Sequence, residues 1–124
     1  MTVKECYEHA IALVPETFED NPDMLSFAVF WCNILLAETL PYENAYRRTK
    51  KLPELEIVPN VLRESDEIPF NERMVKAAFP YGMARWIFRE NEDISGSHEC
   101  YQLYTIALTE STPLEFSEVE DFYD

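Results

Sequence analysis

The side chains best suited to metal or nucleophilic chemistry form two short pairs, Cys6-x-x-His9 and His98-x-Cys100. Together they contain the ligands of a Cys₂His₂ zinc site. Cys6 and His9 can share one face of a helix, but His98 and Cys100 would point to nearly opposite sides. The alternative for each pair is a buried thiol beside an exposed imidazole. We therefore expect no metal and no cofactor.

Other catalytic patterns are incomplete. No glycine-rich turn or oxyanion-forming loop accompanies any of the cysteines. The zinc-protease pattern HExxH fails because Gln102 stands where its second histidine belongs. The acidic cluster Glu64, Asp66 and Glu67 lacks the spaced ligands and the turn glycine of a dedicated calcium loop. The sequence predicts a protein that is not an enzyme.

Charge is segregated along the chain. Residues 1–46 carry one base against eight acids, residues 47–89 carry nine bases against six acids, and residues 90–124 carry ten acids and no base. The net charge of −14 repels phosphate backbones and anionic lipid, so we expect no specific nucleic-acid binding and no membrane binding. An acidic end and a basic middle suit a head-to-tail contact between identical copies.

Length and composition predict a single all-α domain. The 124 residues are 47% hydrophobic, which is ample for one packed core. Only two glycines occur, whereas β-sandwiches and barrels need many turns with positive φ. We expect a bundle of four to five helices over residues 1–111, followed by an acidic, aromatic tail over residues 112–124.

The cysteines and the longest apolar stretch indicate where the chain resides. An odd number of widely spaced cysteines, with no signal peptide before them, predicts a reduced intracellular chain. The apolar stretch over residues 24–40 contains Asn33 and Glu38 and is short for a membrane span. A buried core helix is the better interpretation.

Two helices are predicted before residue 41. Thr2 and Glu5 form a capping box that starts a helix over about 2–14. The pair Asn21-Pro22 places a cap before a proline at the first helical position, which predicts a second helix over about 22–40. Its apolar residues cover most faces, so it is expected to be central in the fold.

The middle of the chain is the least regular part. Pro41 is expected to end the second helix and to begin a short basic helix over 42–52. The three prolines and two acidic clusters of residues 53–70 predict an extended arm between the third and fourth helices. A short strand at Glu56–Val58 or at Val61–Arg63 is compatible with its isolated aliphatic residues.

A fourth helix is predicted over about 71–90. Asn71 is its cap, and a helical stripe of apolar residues follows. Pro80 inside this stripe should kink the helix, and Gly82 should allow a neighbour to approach closely.

A fifth helix and the tail complete the chain. Ser95 or Ser97 can cap a helix that runs to about Thr109. The tail places aromatic residues among acids, which is typical of a short docking motif, although a frayed end has the same composition.

The charged segments supply the candidate subunit interface. The single basic cluster is either a solvated helix face or a surface that receives an acidic segment of this chain or of a neighbour. The segments expected to bind the basic cluster are the arm, through its acids, and the tail, through its acidic and aromatic residues. The candidate interface residues are Arg47, Arg48, Lys50, Lys51, Glu64, Asp66, Glu67, Glu118, Glu120, Asp121, Phe122 and Tyr123.

The order of these segments resembles that of the head–tail connector (adaptor, or head-completion) proteins of tailed phages and prophages. The best-matching stretches are SDEIPFNERMVKAAFPYGMARWIF and CYQLYTIAL. The resemblance implies an all-helical subunit that assembles as a ring with copies of itself at the virion neck, between the portal and the tail, and lets DNA pass. It also implies that residues 53–70 and the tail reach neighbouring subunits.

The implied partners are therefore the chain itself and the phage portal and tail or head-completion proteins. The implied location is the virion, with the host bacterial cytoplasm as the site of assembly. The acidity is stronger than in a typical adaptor. The alternative is an acidic regulator or DNA mimic that occupies the basic surface of a partner.

Overall fold

The computed structural model describes residues 1–16, 18 and 24–112. The helices in these ranges are α1 (Val3–Ala12), α2 (Met24–Thr49), α3 (Glu72–Glu90) and α4 (Ile94–Ser111). No β-strand occurs among these residues, and one isolated antiparallel bridge joins Thr2 to Glu67. The all-helical prediction is confirmed, whereas the short strand expected at Glu56–Val58 or at Val61–Arg63 is absent.

Helix α1 begins with the predicted capping box. The Thr2 hydroxyl accepts a hydrogen bond from the Glu5 N–H, and the Glu5 carboxylate accepts one from the Thr2 N–H, each at 3.1 Å. The buried side chains Val3, Cys6 and Ala10 recur at helical spacing and face the core. The cap expected at Asn21-Pro22 lies outside the described residues.

Helix α2 corrects the sequence prediction, because it continues through Pro41 to Thr49 without a break. The predicted second and third helices are one helix. A proline in a helix removes the hydrogen bond to the carbonyl four residues earlier, here that of Ala37. Both residues are exposed, so water can solvate this carbonyl and the loss is tolerated.

Segment 53–70 is folded against α2. The Asn44 side chain bonds both backbone groups of Leu55, at 2.8 and 3.0 Å. The Asn33 side chain does the same to Val61, at 2.8 and 3.0 Å. The segment therefore runs antiparallel to α2, and these amide groups satisfy backbone groups that a neighbouring strand would otherwise pair.

Replacing Asn33 with alanine should release the middle of segment 53–70. The substitution removes two hydrogen bonds to Val61, and about 1–2 kcal/mol of local stability should be lost. Hydrogen exchange should then show faster exchange of the Val61 amide. Asn33→Asp is the matched control, since a carboxylate keeps the acceptor for the Val61 N–H but loses the donor to its carbonyl. Unchanged protection in Asn33→Ala would contradict this description.

Neighbouring helices approach α3 closely at Gly82, as predicted. A Cβ atom at this position would lie 2.5 Å from Cδ2 of Leu35 in α2 and 3.1 Å from the Tyr104 ring in α4. The predicted cap is also confirmed, since the Asn71 side chain accepts from the Met74 N–H at 3.0 Å. Gly82 thus lets three helices meet closely.

Helix α4 starts earlier than predicted. Its cap is Asp93, whose carboxylate accepts from the Gly96 N–H at 2.8 Å, whereas Ser95 and Ser97 lie inside the helix. The negative charge of a carboxylate also interacts favourably with the positive end of the helix dipole, whereas a serine hydroxyl carries no such charge. The helix continues to Ser111, two residues beyond the predicted end.

Candidate docking surfaces

The three thiols belong to the core. Cys6, Cys32 and Cys100 are buried and free, whereas His9 and His98 are exposed. Within residues 1–16, 18 and 24–112, no group of three or more histidine, cysteine or acidic side chains is placed to hold a metal ion. The cysteines therefore serve as small apolar side chains.

Burial lowers the reactivity of these thiols. It raises the pKa of Cys32 to about 12 from an ordinary value of 9.0. Burial also raises the pKa of Cys6, and it raises that of Cys100, where the nearby Glu99 carboxylate adds to the effect. Because the thiolate is the nucleophile, a raised pKa lowers the reactive fraction at neutral pH.

We expect the native chain to resist thiol labelling. At pH 8 the raised pKa of Cys32 reduces its thiolate fraction roughly a thousandfold, since each pKa unit is a factor of ten. Labelling with Ellman's reagent should be slow in buffer and complete for three thiols in denaturant. Raising the pH towards 12 should speed native labelling if the fold persists. Rapid labelling of Cys6 or Cys32 at pH 8 would show that the core is open.

The two arginines of the basic cluster form contacts within the chain. The Arg47 side chain donates to the Glu43 carboxylate at 2.9 Å and to the Pro53 carbonyl at 3.2 Å. Arg48 forms an ion pair with Glu54 at 2.6 Å. These contacts attach the start of segment 53–70 to the end of α2. The ammonium groups of Lys50 and Lys51 extend beyond the helix and are exposed.

The acidic residues of segment 53–70 also have structural contacts. The Asp66 carboxylate accepts from the N–H groups of Leu62 and Arg63, and these bonds hold its pKa below its ordinary value. The Glu67 carboxylate accepts from the amino group of Met1 at 2.9 Å, and the Glu64 carbonyl accepts from the N–H at position 4. The segment thereby joins the start of α1.

Tail residues 113–124 lie outside the described residues. They include the remaining candidate interface positions, Glu118, Glu120, Asp121, Phe122 and Tyr123. The structure therefore brings the basic cluster beside Glu54 and Glu43. It places Glu64, Asp66 and Glu67 at the other end of the same segment, against α1.

A partly buried ion pair, which sequence reasoning missed, links α2 to α3, and Tyr104 of α4 bonds to the same acid. Arg85 is 8% exposed, and its guanidinium group lies 2.5 Å from the Glu38 carboxylate. The Tyr104 hydroxyl donates to the same carboxylate at 3.2 Å. The guanidinium group also lies 4.1 Å from the Trp86 ring centroid and 5.0 Å from that of Tyr104. The sequence signal for this ion pair was Glu38, an acidic residue inside the apolar stretch of α2.

An apolar stripe lies on the outer face of α2. Phe30 is 64% exposed and Phe27 is exposed, and the stripe continues along the helix at spacings of three and four residues. Phe27 contacts Trp31, which stacks on Trp86 with ring centroids 5.9 Å apart. We call this stripe the α2 ridge; its residues are Phe27, Phe30, Ile34, Ala37 and Pro41.

A second apolar surface, the outer groove, lies between α1, α3 and α4. Its floor is the outer face of α3, with half-buried Ala77 and Tyr81. Hollows of about 480 and 380 Å³ flank this floor on the α1 side and the α4 side. The walls are Glu8, His9, Ala12 and Leu13 of α1 and Leu103, Ile106, Ala107, Glu110 and Ser111 of α4, with Arg73, Lys76 and Pro80 of α3 beside the floor.

Exposed apolar side chains in contiguous patches are typical of surfaces that bind other proteins. No family model, curated protein or solved structure matches this chain. The two surfaces are therefore interpreted from their own residues. The groove is open and lined largely by apolar side chains, with charged groups of both signs at its edges.

The ridge lies on the one helix of the described residues that is long and apolar enough to cross a membrane. Helix α2 has sufficient length and hydropathy. This is weak evidence, because core helices of globular proteins share both properties. Its buried face, with Ala28, Cys32 and Leu35, belongs to the same hydrophobic core as α1 and α3.

Proposed function

We propose that this chain is a phage or prophage structural protein that acts as a head–tail connector subunit, with no catalytic role. In this function, copies assemble into a ring between the portal and the tail, and DNA passes through. The observation that carries the proposal is the exposure of large apolar side chains on two surfaces of one small helical chain, such as Phe30 and Ile106. A subunit in a ring needs two such surfaces, one for each neighbour.

The sequence resemblance supplies the specific assignment. Its two stretches correspond to the end of segment 53–70 with most of α3, and to half of α4. The acidic excess agrees with the role, because a negatively charged lumen repels the DNA backbone and lets it slide. The proposed location is the virion, with assembly in the host bacterial cytoplasm.

The extended parts of the chain are the proposed secondary contacts. Segment 53–70 exposes two large aliphatic side chains, Ile57 and Leu62, the latter at 80%. We assign this segment and the tail from residue 112 to contacts with neighbouring subunits. The exposed ammonium groups of Lys50 and Lys51 then receive acids from a neighbour, and such contacts weaken as salt rises.

Reconstitution with neighbouring phage proteins tests this function. The portal protein encoded beside this reading frame, if there is one, should be mixed with the full chain and imaged by electron microscopy. An added ring on the portal is expected, with occupancy that falls between low and high salt. Lys50→Glu with Lys51→Glu should lower occupancy, and Lys4→Glu is a matched control outside the basic cluster. A portal with no added density would contradict the proposal.

A second function is favoured by the charge of the C-terminal third. Residues 90–124 carry ten acids and no base, which is suited to occupying a DNA-binding groove. In that function the chain stays monomeric and competes with duplex DNA for a DNA-handling protein. Light scattering across protein concentration, combined with a DNA competition assay, distinguishes the two functions.

A further inference from the structure

The chain leaves its last helix at the edge of the outer groove. Helix α4 ends at Ser111, and Ser111 lines the hollow on the α4 side together with Glu110 and Arg73. The next residue, Thr112, has extended backbone angles, so the helix does not continue. The sequence then continues over residues 113–124. The tail is therefore attached to a wall of the groove.

The tail is also long enough to cover the groove. The floor extends roughly 12 Å along α3, from Arg73 to Tyr81. At roughly 3.3 Å per residue, an extended chain can place Phe116 up to roughly 13 Å beyond the last described residue and Phe122 up to roughly 33 Å beyond it. The two hollows share the side chain of Tyr81, so they adjoin each other. Both hollows are within reach of the tail.

Apolar side chains are present on both the groove and the tail. In the walls, Leu13 is 39% exposed, Leu103 is 38% exposed and Ile106 is 51% exposed. An apolar cavity of roughly 150 Å³ holds benzene. Each hollow, at about 380 and 480 Å³, therefore has room for an aromatic ring. Rings that enter the hollows are removed from water, as are the walls that they cover. The apolar residues of the tail are Pro113, Leu114, Phe116, Val119, Phe122 and Tyr123.

Covalent attachment selects the occupant, because the charges of the groove are mixed. Arg73 and Lys76 lie beside the floor, whereas Glu8 and Glu110 lie in the walls. Net charge therefore gives little preference for any partner. A tethered segment, in contrast, meets its site at an effective concentration on the order of millimolar, which an untethered partner must match. The five acids of the tail can then orient it by approaching Arg73, which is exposed.

We infer that tail residues 113–124 bind the outer groove of their own chain before assembly. Phe116 enters the hollow on the α4 side, close to Arg73, and Phe122 reaches the hollow on the α1 side. The inference goes beyond the proposed function, which assigns the tail to neighbouring subunits in the ring and does not describe the isolated chain. Transfer of the same tail from its own groove to that of a neighbour is a domain swap, a low-cost route to association.

Chymotrypsin cleavage after Phe116 tests this contact in the full chain. Cleavage requires an undocked tail, so it should be at least about tenfold slower than in a synthetic peptide of residues 109–124. Ile106→Asp damages the groove at an exposed position and should bring the rate to within about twofold of that of the peptide. Leu103→Asp, in the same wall, should do the same and serves if the first variant fails to fold by circular dichroism. Ile94→Asp, at an exposed position outside the groove, is the matched control and should stay protected.

Two results of this assay would overturn the inference. One is a full chain that is cleaved as fast as the peptide, which would mean that the tail is not docked. The other is a folded groove variant that is cleaved as slowly as the original chain, which would mean that the groove does not protect the tail.

Protein concentration distinguishes the groove of the same chain from that of a neighbour. An intramolecular contact should give the same protection at about 1 and 100 μM chain. Protection that appears only at the higher concentration would assign the tail to a neighbouring groove and overturn the inference.

The portal experiment separates this inference from the proposed function. If the tail is protected within its own chain but no ring is added to the portal, the inference stands and the connector function is wrong. If a ring is added but the tail of the isolated chain is cleaved like the peptide, the connector function stands and the inference is wrong.

Discussion

Replacing Glu43 with alanine is expected to lower the free energy of unfolding by about 3–5 kcal/mol. The Glu43 carboxylate is almost fully buried and accepts three hydrogen bonds. The Asn71 N–H donates at 2.7 Å, the Asn71 side chain at 2.9 Å, and Arg47 at 2.9 Å. Alanine would leave the donors of Asn71 unpaired near the start of α3 and would separate Arg47 from its charge partner.

Urea unfolding followed by circular dichroism measures this loss. Glu43→Gln is the first control, because it keeps an acceptor oxygen for Asn71 while removing the charge, and it should cost about half as much. Glu54→Ala is the second control. Glu54 pairs with Arg48 at an exposed position, so its removal should cost less than about 1 kcal/mol. If Glu43→Ala were no more destabilising than Glu54→Ala, the buried network would not stabilise the fold.

Replacing Arg85 with alanine is expected to cost about 2–4 kcal/mol. The substitution removes a partly buried ion pair with Glu38 and the guanidinium contacts with Trp86 and Tyr104. The Glu38 side chain is 39% exposed, so water can solvate its carboxylate once the partner is gone. The cost should therefore be smaller than that of Glu43→Ala.

Arg85→Lys separates charge from stacking. Lysine keeps the positive charge but lacks the planar group that lies over the rings, so it should recover only part of the lost stability. A double-mutant cycle of Arg85→Ala with Glu38→Gln measures the coupling of the pair, which should be about 1–3 kcal/mol. An Arg85→Lys protein as stable as the original would show that ring contacts contribute nothing. A coupling energy near zero would show that the ion pair between Arg85 and Glu38 contributes nothing to stability.

These two networks fix the body on which the proposed docking surfaces lie. Glu43 and Asn71 connect the last part of α2 to the first turn of α3. Arg85, Glu38 and Tyr104 connect the middle of α2 to α3 and α4. The ridge and the groove therefore belong to connected helices, which keeps both surfaces ordered before a partner binds and lowers the entropic cost of association.

Local signals in the sequence located the start of α1 and both ends of α3 correctly. Thr2 with Glu5, and Asn71 before the α3 stripe, satisfy N–H groups within three residues, so no distant contact is needed. Gly82 was also predictable, because a lone glycine in an apolar helical stripe indicates close approach. Pro41 misled the prediction, because α2 tolerates the lost hydrogen bond at this exposed position, where water can solvate the carbonyl of Ala37.

The sequence by itself determined the helical class, the caps of α1 and α3, and the segregation of charge, since each depends on composition or on neighbours within a few residues. Only the tertiary structure decided that Asn33 pairs with Val61 and Glu43 with Asn71, both across 28 positions. It also left the large apolar side chains of Phe30 and Ile106 exposed. Helical periodicity shows which residues share a face, but the packing of other helices decides which of those faces stay exposed.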